Sequence, residues 1–187
     1  MEAQALSGGF GDAPREAALI FRAAMNAIAK PGTIEDVSGV APPDGLSPAA
    51  GALILTLCDA DTPVHLASAT NTPALRKWIA FHCGAPLAQA SEAAFAVGTW
   101  ESLLPLEDFP LGTPEYPDRS ATLIVEVPLL EARGSRLTGP GIKDAAHLSL
   151  PDEAACRANA AQFPLGLDFF FTQGTRLAAL PRSTRIG

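Results

Sequence analysis

A chain of 187 residues with a net charge of −7 is long enough for one large domain and short for two. Its acidic field, without any Lys/Arg block, excludes attraction to nucleic-acid backbones. Hydrophobic residues make up 48% and charged residues 18%, against a usual charged share of about 25%, so either the core is large or apolar surface meets a partner.

Residues 1–11 are small and Gly-rich and are expected to form a flexible tail ahead of a single domain over 12–187. Asp12 is placed to cap a helix with Pro14 in its first turn. Phe21, Met25, Ile28 and Ala29 recur at helical spacing and predict its apolar stripe, while Arg22, Asn26 and Lys30 run down another face. Pro31-Gly32 stops the helix. Ser47 with Pro48 opens a second helix through "SPAAGALILTLCD", and a short strand is expected at Val64–Ala67. Thr72-Pro73 repeats the device ahead of a third helix, with Leu75, Trp78, Ile79 and His82 on or near one face. Phe95–Val97 predicts another strand.

Residues 105–120 hold five prolines or glycines and predict a long loop. "ATLIVEV", 121–127, is the most strand-like run in the chain. Leu137-Thr138 belongs to another strand, 152–161 to a helix, and "GLDFFF" and "RLAAL" to two strands joined by a short turn, which predicts an antiparallel hairpin. Strands alternating with helices argue for a single α/β domain with a mixed sheet covered on both faces.

The chemistry-bearing residues are sparse. Cys58, Cys83 and Cys156 are far apart and odd in number, which predicts buried thiols, and His65, His82 and His147 share no metal-ligand spacing, so no metal is expected. No nucleophile elbow, phosphate-binding loop or dinucleotide loop occurs. The three lysines, Lys30, Lys77 and Lys143, lack the surroundings of a Schiff-base lysine. The first residues show no basic segment followed by an apolar run, and no apolar stretch of 18 residues exists, so neither a signal peptide nor a membrane span is expected and the cytoplasm is the expected location.

Three spots stand out. Asp168 lies among Leu167 and Phe169–Phe171, where a carboxylate needs a partner unless it faces solvent at the strand end. In "LPRSTRI", Arg182 and Arg185 flank Ser183 and Thr184, a set that suits an oxyanion, though Arg182 could instead pair with Asp168 and pin the C-terminus. In "LTGPGIKD", Pro140 removes an N–H from the middle of a possible phosphate nest. A rigid bend of Gly139, Pro140 and Gly141 that sets Ile142 and Lys143 against another chain or another segment of this one is the favoured reading. Phosphate contact through the Gly141 N–H and Lys143 stays open beside it.

Seven separated stretches fit one family together: "FRAAMNAIAKPGTI", "LTLCDADTPV", "FHCGAP", "SATLIVEV", "GPGI", "FPLGLDFFF" and "LPRSTRI". In this order and spacing, from about residue 12 to 186, the chain resembles the PhnH family, core subunits of bacterial carbon–phosphorus lyase. The resemblance implies a fold like the large domain of pyridoxal-phosphate-dependent transferases without the cofactor, and a subunit that pairs with itself and assembles with PhnG, PhnI and PhnJ. It implies work with PhnG, PhnI and PhnL in joining a phosphonate to the ribose of ATP with release of adenine. Base displacement then belongs chiefly to PhnI, and PhnJ later breaks the carbon–phosphorus bond. No catalytic residue, cofactor or activity of the chain alone is expected. The alternative is that it contributes part of the nucleotide or phosphonate site, for which Arg22, Lys30, Lys143, Arg182 and Arg185 are the cationic supply.

Overall fold

The computed structural model describes residues 6–187. The elements in chain order are α1 (Ala13–Ala29), β1 (Glu35–Asp36), α2 (Pro48–Leu57), β2 (Val64–Leu66), α3 (Pro73–His82), β3 (Phe95–Thr99) and β4 (Thr122–Glu126). There follow β5 (Ser135–Thr138), β6 (Ala146–Leu148), α4 (Glu153–Ala160), β7 (Asp168–Gln173), β8 (Arg176–Leu180) and β9 (Arg185–Ile186). The main sheet has six strands in the order β1-β8-β7-β4-β3-β2. The four strands β2, β3, β4 and β7 are mutually parallel, and β8 returns antiparallel beside β7 as the expected hairpin.

Side chains alternate across this sheet with a period of two. Val97, Ile124, Phe170, Leu177 and Ala179 face one core, beneath α1, α2 and α3. Ala96, Leu123, Val125, Phe169, Phe171, Ala178 and Leu180 face a second core. There the cover is α4 and a small antiparallel sheet of order β6-β5-β9. The mixed α/β sheet with both faces covered is thus as the sequence predicts, and the second sheet is an addition to it. Its strands are two to four residues long, too short for a periodicity to register.

The helix starts follow local chemistry. The Ser47 hydroxyl accepts the Ala50 N–H at 3.2 Å, Thr72 accepts that of Leu75 at 3.2 Å, and Asp152 accepts that of Ala155 at 2.9 Å. Asp12 is the exception: it occupies the N-cap position of α1 but its side chain caps nothing. Glu16 reaches back instead, its Oε2 accepting the N–H groups of Gly11 at 2.7 Å and Asp12 at 3.1 Å.

The stripe expected on α1 is also corrected. Ile20, Ala24 and Ala27 are buried and Ile28 is half-buried against the first core as expected, whereas Phe21 and Met25 are 49% and 48% exposed and Ala29 is exposed. Two faces of this helix are apolar, and the one chosen for burial carries alanines at the positions that meet α2 and β8, where a close approach excludes larger side chains. α2 is buried all round from Ala49 to Ile54, the middle layer between its neighbours and the sheet.

The expected tail of residues 1–11 falls partly outside the described residues. Within them, the Ser7 carbonyl accepts the Trp78 indole N–H at 3.1 Å, the Gly8 carbonyl accepts the Ala41 N–H at 2.8 Å, and Phe10 packs against the first core. The long 105–120 loop is present and carries short 3₁₀ turns at Leu106–Asp108 and Pro117–Arg119.

Candidate functional site

The amino end of the parallel strands is closed by the chain's last residues. β7 begins at Asp168, and β8 runs back to Leu180 beside it, so Pro181–Arg185 emerges next to that carboxylate. The Arg182 backbone N–H donates to Asp168 Oδ1 at 2.8 Å, and its guanidinium Nη2 donates to Oδ2 at 3.0 Å. The other terminal nitrogen, Nη1, donates to the carbonyls of Pro117 at 2.8 Å and Gly166 at 2.9 Å. The loop at Pro117 and the segment that leads into β7 therefore converge on one guanidinium, whose fixed fork suits such a junction. The side chains of Arg182 and Asp168 are 14% and 25% exposed. The pairing weighed from the sequence is present, and it leaves Arg182 engaged with its own chain.

Asn159 positions the carboxylate from below. Its side-chain amide, buried on α4, accepts the Leu167 N–H and donates to the Leu167 carbonyl, both at 2.8 Å. The backbone entering Asp168 is therefore held like a strand in a ladder. Nothing in the sequence marked Asn159, because an asparagine in an Ala-rich helix reads as a solvent residue.

The Gly139-Pro140-Gly141 turn packs beside this junction. A Cβ on Gly139 would stand 3.2 Å from the Ser183 carbonyl oxygen. A Cβ on Gly141 would stand 1.8 Å from the Ala29 carbonyl oxygen at the end of α1, and its φ is +78°. The turn thus docks onto another segment of its own chain, and glycine is required for the approach. Ile142 packs against the second core, while Pro140 and Lys143 are exposed.

Gly139, Pro140, Arg182, Thr184 and Arg185 come together around a cavity of about 300 Å³ with Phe163 on its wall. Thr184 is buried, and its hydroxyl has no hydrogen-bond partner among the described residues. Arg185 is exposed on β9, and Lys30, the C-cap residue just after α1, is exposed one residue from the Ala29 carbonyl that Gly141 meets. Arg22 is not part of this group. It lies two turns earlier on α1, in a groove of about 580 Å³ with Glu16, Asn26, Glu35 and Asp36.

The opposite end of the sheet holds a carboxylate the sequence reading passed over. Glu126 ends β4, where its Oε1 accepts the Ser47 N–H at 2.6 Å and its Oε2 accepts the Thr172 hydroxyl at 3.1 Å. Burial pushes its carboxyl above the usual range, against the opposing effect of these hydrogen bonds. The available signal was an acid at the carboxyl end of the most strand-like run. Its partner Ser47 is 79 residues away in the chain, so its environment was not readable locally.

His82 packs on Trp78 and Phe81 with centroid separations of 5.1 and 4.9 Å. The cysteines are free thiols, Cys58 and Cys156 are buried, and burial pushes Cys156 up to about 12, so it stays protonated at neutral pH. Among the described residues no group of three or more His, Cys, Asp or Glu side chains is placed to hold a metal ion, and no helix is long and apolar enough to cross a membrane.

Comparison with known proteins agrees with the stretches that the sequence singled out. Over 195 aligned residues the chain is 44% identical to the alpha-D-ribose 1-methylphosphonate 5-triphosphate synthase subunit PhnH of Rhizobium meliloti, covering 99% of this chain and 97% of that one. It is 31% identical to the putative C-P lyase subunit protein HtxG of Stutzerimonas stutzeri, covering 93% of this chain and 87% of the relative. The family model for the bacterial phosphonate metabolism protein PhnH matches residues 8–187, and with it the whole α/β sheet, both covers and the Asp168–Arg182 junction. This chain belongs to the PhnH family.

Proposed function

We propose that this protein is an accessory subunit of a bacterial carbon–phosphorus lyase complex. It acts with PhnG, PhnI and PhnL in forming alpha-D-ribose 1-methylphosphonate 5-triphosphate from ATP and methylphosphonate during organic phosphonate catabolism. The observation that carries this reading is 44% identity, over nearly the full length of both chains, to a protein named as a subunit of alpha-D-ribose 1-methylphosphonate 5-triphosphate synthase. The geometry supports an accessory part. The most elaborate polar cluster, around Arg182, satisfies its own guanidinium with a carboxylate and two carbonyls and presents no paired nucleophile and base.

The same reading includes a 12–187 domain like the large domain of pyridoxal-phosphate-dependent transferases without the cofactor, a cytoplasmic location, self-pairing, and assembly with PhnG, PhnI and PhnJ. The mixed sheet with helices on both faces supports the first. Exposed Phe21 and Met25 along α1 and exposed Phe163 beside the C-terminal junction supply apolar surface for the subunit contacts. A second reading, direct contact with nucleotide or phosphonate, rests on Lys30, Lys143 and Arg185. All three are exposed cations; Arg185 lines the cavity with Thr184, and Lys30 and Lys143 lie within two residues of the contact between Ala29 and Gly141.

The test is complementation. Cells that lack their own PhnH subunit and depend on methylphosphonate for phosphorus should regain growth when supplied with this chain. Affinity-tagged protein should bring down the PhnG, PhnI and PhnJ subunits, and the isolated chain should leave ATP and methylphosphonate unchanged. Nucleotide consumption by the pure chain would overturn the accessory assignment. Normal assembly with loss of product in Lys143→Ala or Arg185→Ala would favour the second reading.

A further inference from the structure

The carboxyl ends of β3 and β4 border a cavity of about 490 Å³. That is the size of an ordinary small-molecule site, and in open α/β sheets ligands bind at the carboxyl ends of the parallel strands. Thr99 and Glu126, at the ends of these strands, line it together with Trp100, Glu101, Leu129 and Leu150.

The walls are braced before any ligand arrives. The Ser149 hydroxyl donates to the Leu129 carbonyl at 3.1 Å and accepts the Glu131 N–H at 2.9 Å, while the Ser149 N–H donates to the Glu131 carbonyl at 2.9 Å. Gln173, from the end of β7, accepts the Leu130 N–H at 3.1 Å and donates to the Pro128 carbonyl. The segment 128–131 is thereby fixed from two elements, which lowers the ordering cost of binding.

The lining chemistry selects the occupant. The two charged residues on it are both carboxylates, Glu101 and Glu126, and no lysine or arginine among the described residues lines it. Phosphate, phosphonate and carboxylate ligands are therefore repelled. Trp100, Leu129 and Leu150 supply an apolar wall suited to a flat ring. A carboxylate has about four acceptor positions, and the Ser47 N–H and the Ser47 and Thr172 hydroxyls take three of them at Glu126, so capacity for one further N–H remains.

We infer that this cavity binds a flat nitrogen heterocycle bearing an amino group, with Glu126 accepting the ligand N–H and the apolar wall covering the ring. The raised pKa of Glu126 fits this role, because a half-buried carboxylate without a cationic partner gains most from an added donor. This inference stands apart from the subunit assignment, since it is measured on the isolated chain and needs no other subunit.

The experiment is an NMR titration of the purified full-length chain with adenine, with 2-aminopyridine, and with benzoate as an anionic ring of similar size. Adenine and 2-aminopyridine should shift the Trp100 indole and Leu129 methyl signals to saturation, and benzoate should leave them in place. Glu126→Gln should weaken binding about tenfold, the loss expected for a hydrogen bond to a charged acceptor. Because Glu126 also holds the start of α2, Leu129→Arg serves as the second variant. Leu129 is exposed, so the fold should be retained while the added side chain and charge obstruct the cavity. Benzoate binding as well as adenine, saturation without movement of Trp100, no saturation at all, or unchanged binding in both folded variants would each overturn the inference.

Discussion

Two carboxylates on adjacent parallel strands sit at opposite ends of the sheet and live in opposite environments. β4 and β7 pair in register, with Thr122 opposite Asp168 and Glu126 opposite Thr172. At the amino end Asp168 is met by a guanidinium and a backbone N–H. At the carboxyl end Glu126 is met by the Ser47 N–H and by the Ser47 and Thr172 hydroxyls, with no cation in contact among the described residues. The amino end is a closed junction of the loop at Pro117, the segment that leads into β7 and the chain terminus. The carboxyl end is an open cavity with braced walls. The difference teaches that the charge of the partner separates two buried acids: Asp168 has its charge offset by Arg182, whereas Glu126 is held by neutral donors alone and borders a cavity.

The largest expected effect lies in the turn that packs against the closed end. Gly141→Val places a β-branched side chain at φ +78° and a Cβ against the Ala29 carbonyl oxygen. Backbone strain and overpacking together should cost roughly 3–5 kcal/mol in chemical denaturation. A loss below about 1 kcal/mol, within the range of an ordinary surface substitution, would show that the turn does not need this approach.

Next come the members of the junction itself. Asp168→Ala and Arg182→Ala should each cost about 3 kcal/mol, the lower part of the range for breaking a buried pair, because both side chains retain some exposure to solvent. Their double variant should cost less than the sum of the two, since either change already abolishes the shared contact. Both singles should also reduce growth on methylphosphonate. Growth failure with an unchanged melting temperature in Arg182→Ala would move this residue from the fold to a partner or ligand.

At the open end the expected effect is smaller. Glu126→Gln retains one carbonyl acceptor and should cost about 1 kcal/mol through the hydrogen bond it loses. A loss as large as that of Asp168→Ala would break the contrast between the two ends, because Glu126 would then be as structural as its neighbour.

The smallest effect is a slope. Burial makes the folded chain hold the Glu126 proton more tightly than the unfolded chain does. Between the ordinary carboxylate pKa, about 4.3, and the raised folded value, the native state binds more protons, so the Glu126 contribution to stability falls as pH rises through that window. Melting temperature measured against pH should show this component in the parent chain and lack it in Glu126→Gln. Parallel curves for the two would remove the electrostatic distinction between the ends.

Much of this architecture was legible from local signals. The Ser47-Pro48 and Thr72-Pro73 starts, the β-branched run before Glu126 and the β7–β8 hairpin each depend on chemistry within a few residues. The second sheet did not show, since a three-residue strand has no measurable period and acquires its identity from its neighbour. Of the candidate site, the Asp168–Arg182 pair was readable because both belong to one hairpin, 14 residues apart. The proposed ligand cavity was not, because its walls come from the ends of β3, β4 and β6.

The sequence by itself determined the α/β class, the family and the residues that must find partners, because periodicity, capping and motif order are properties of the chain read in one dimension. Only the tertiary structure decided which apolar face of α1 is covered, that Gly141 lies against the end of α1, and that Asp168 meets a guanidinium whereas Glu126 meets neutral donors beside a cavity. Those outcomes depend on segments 79 or 112 residues apart meeting in space, as Ser47 meets Glu126 and Gly141 meets Ala29. Burial, steric approach and the number of donors around an oxygen are set by such meetings, and no local pattern encodes them.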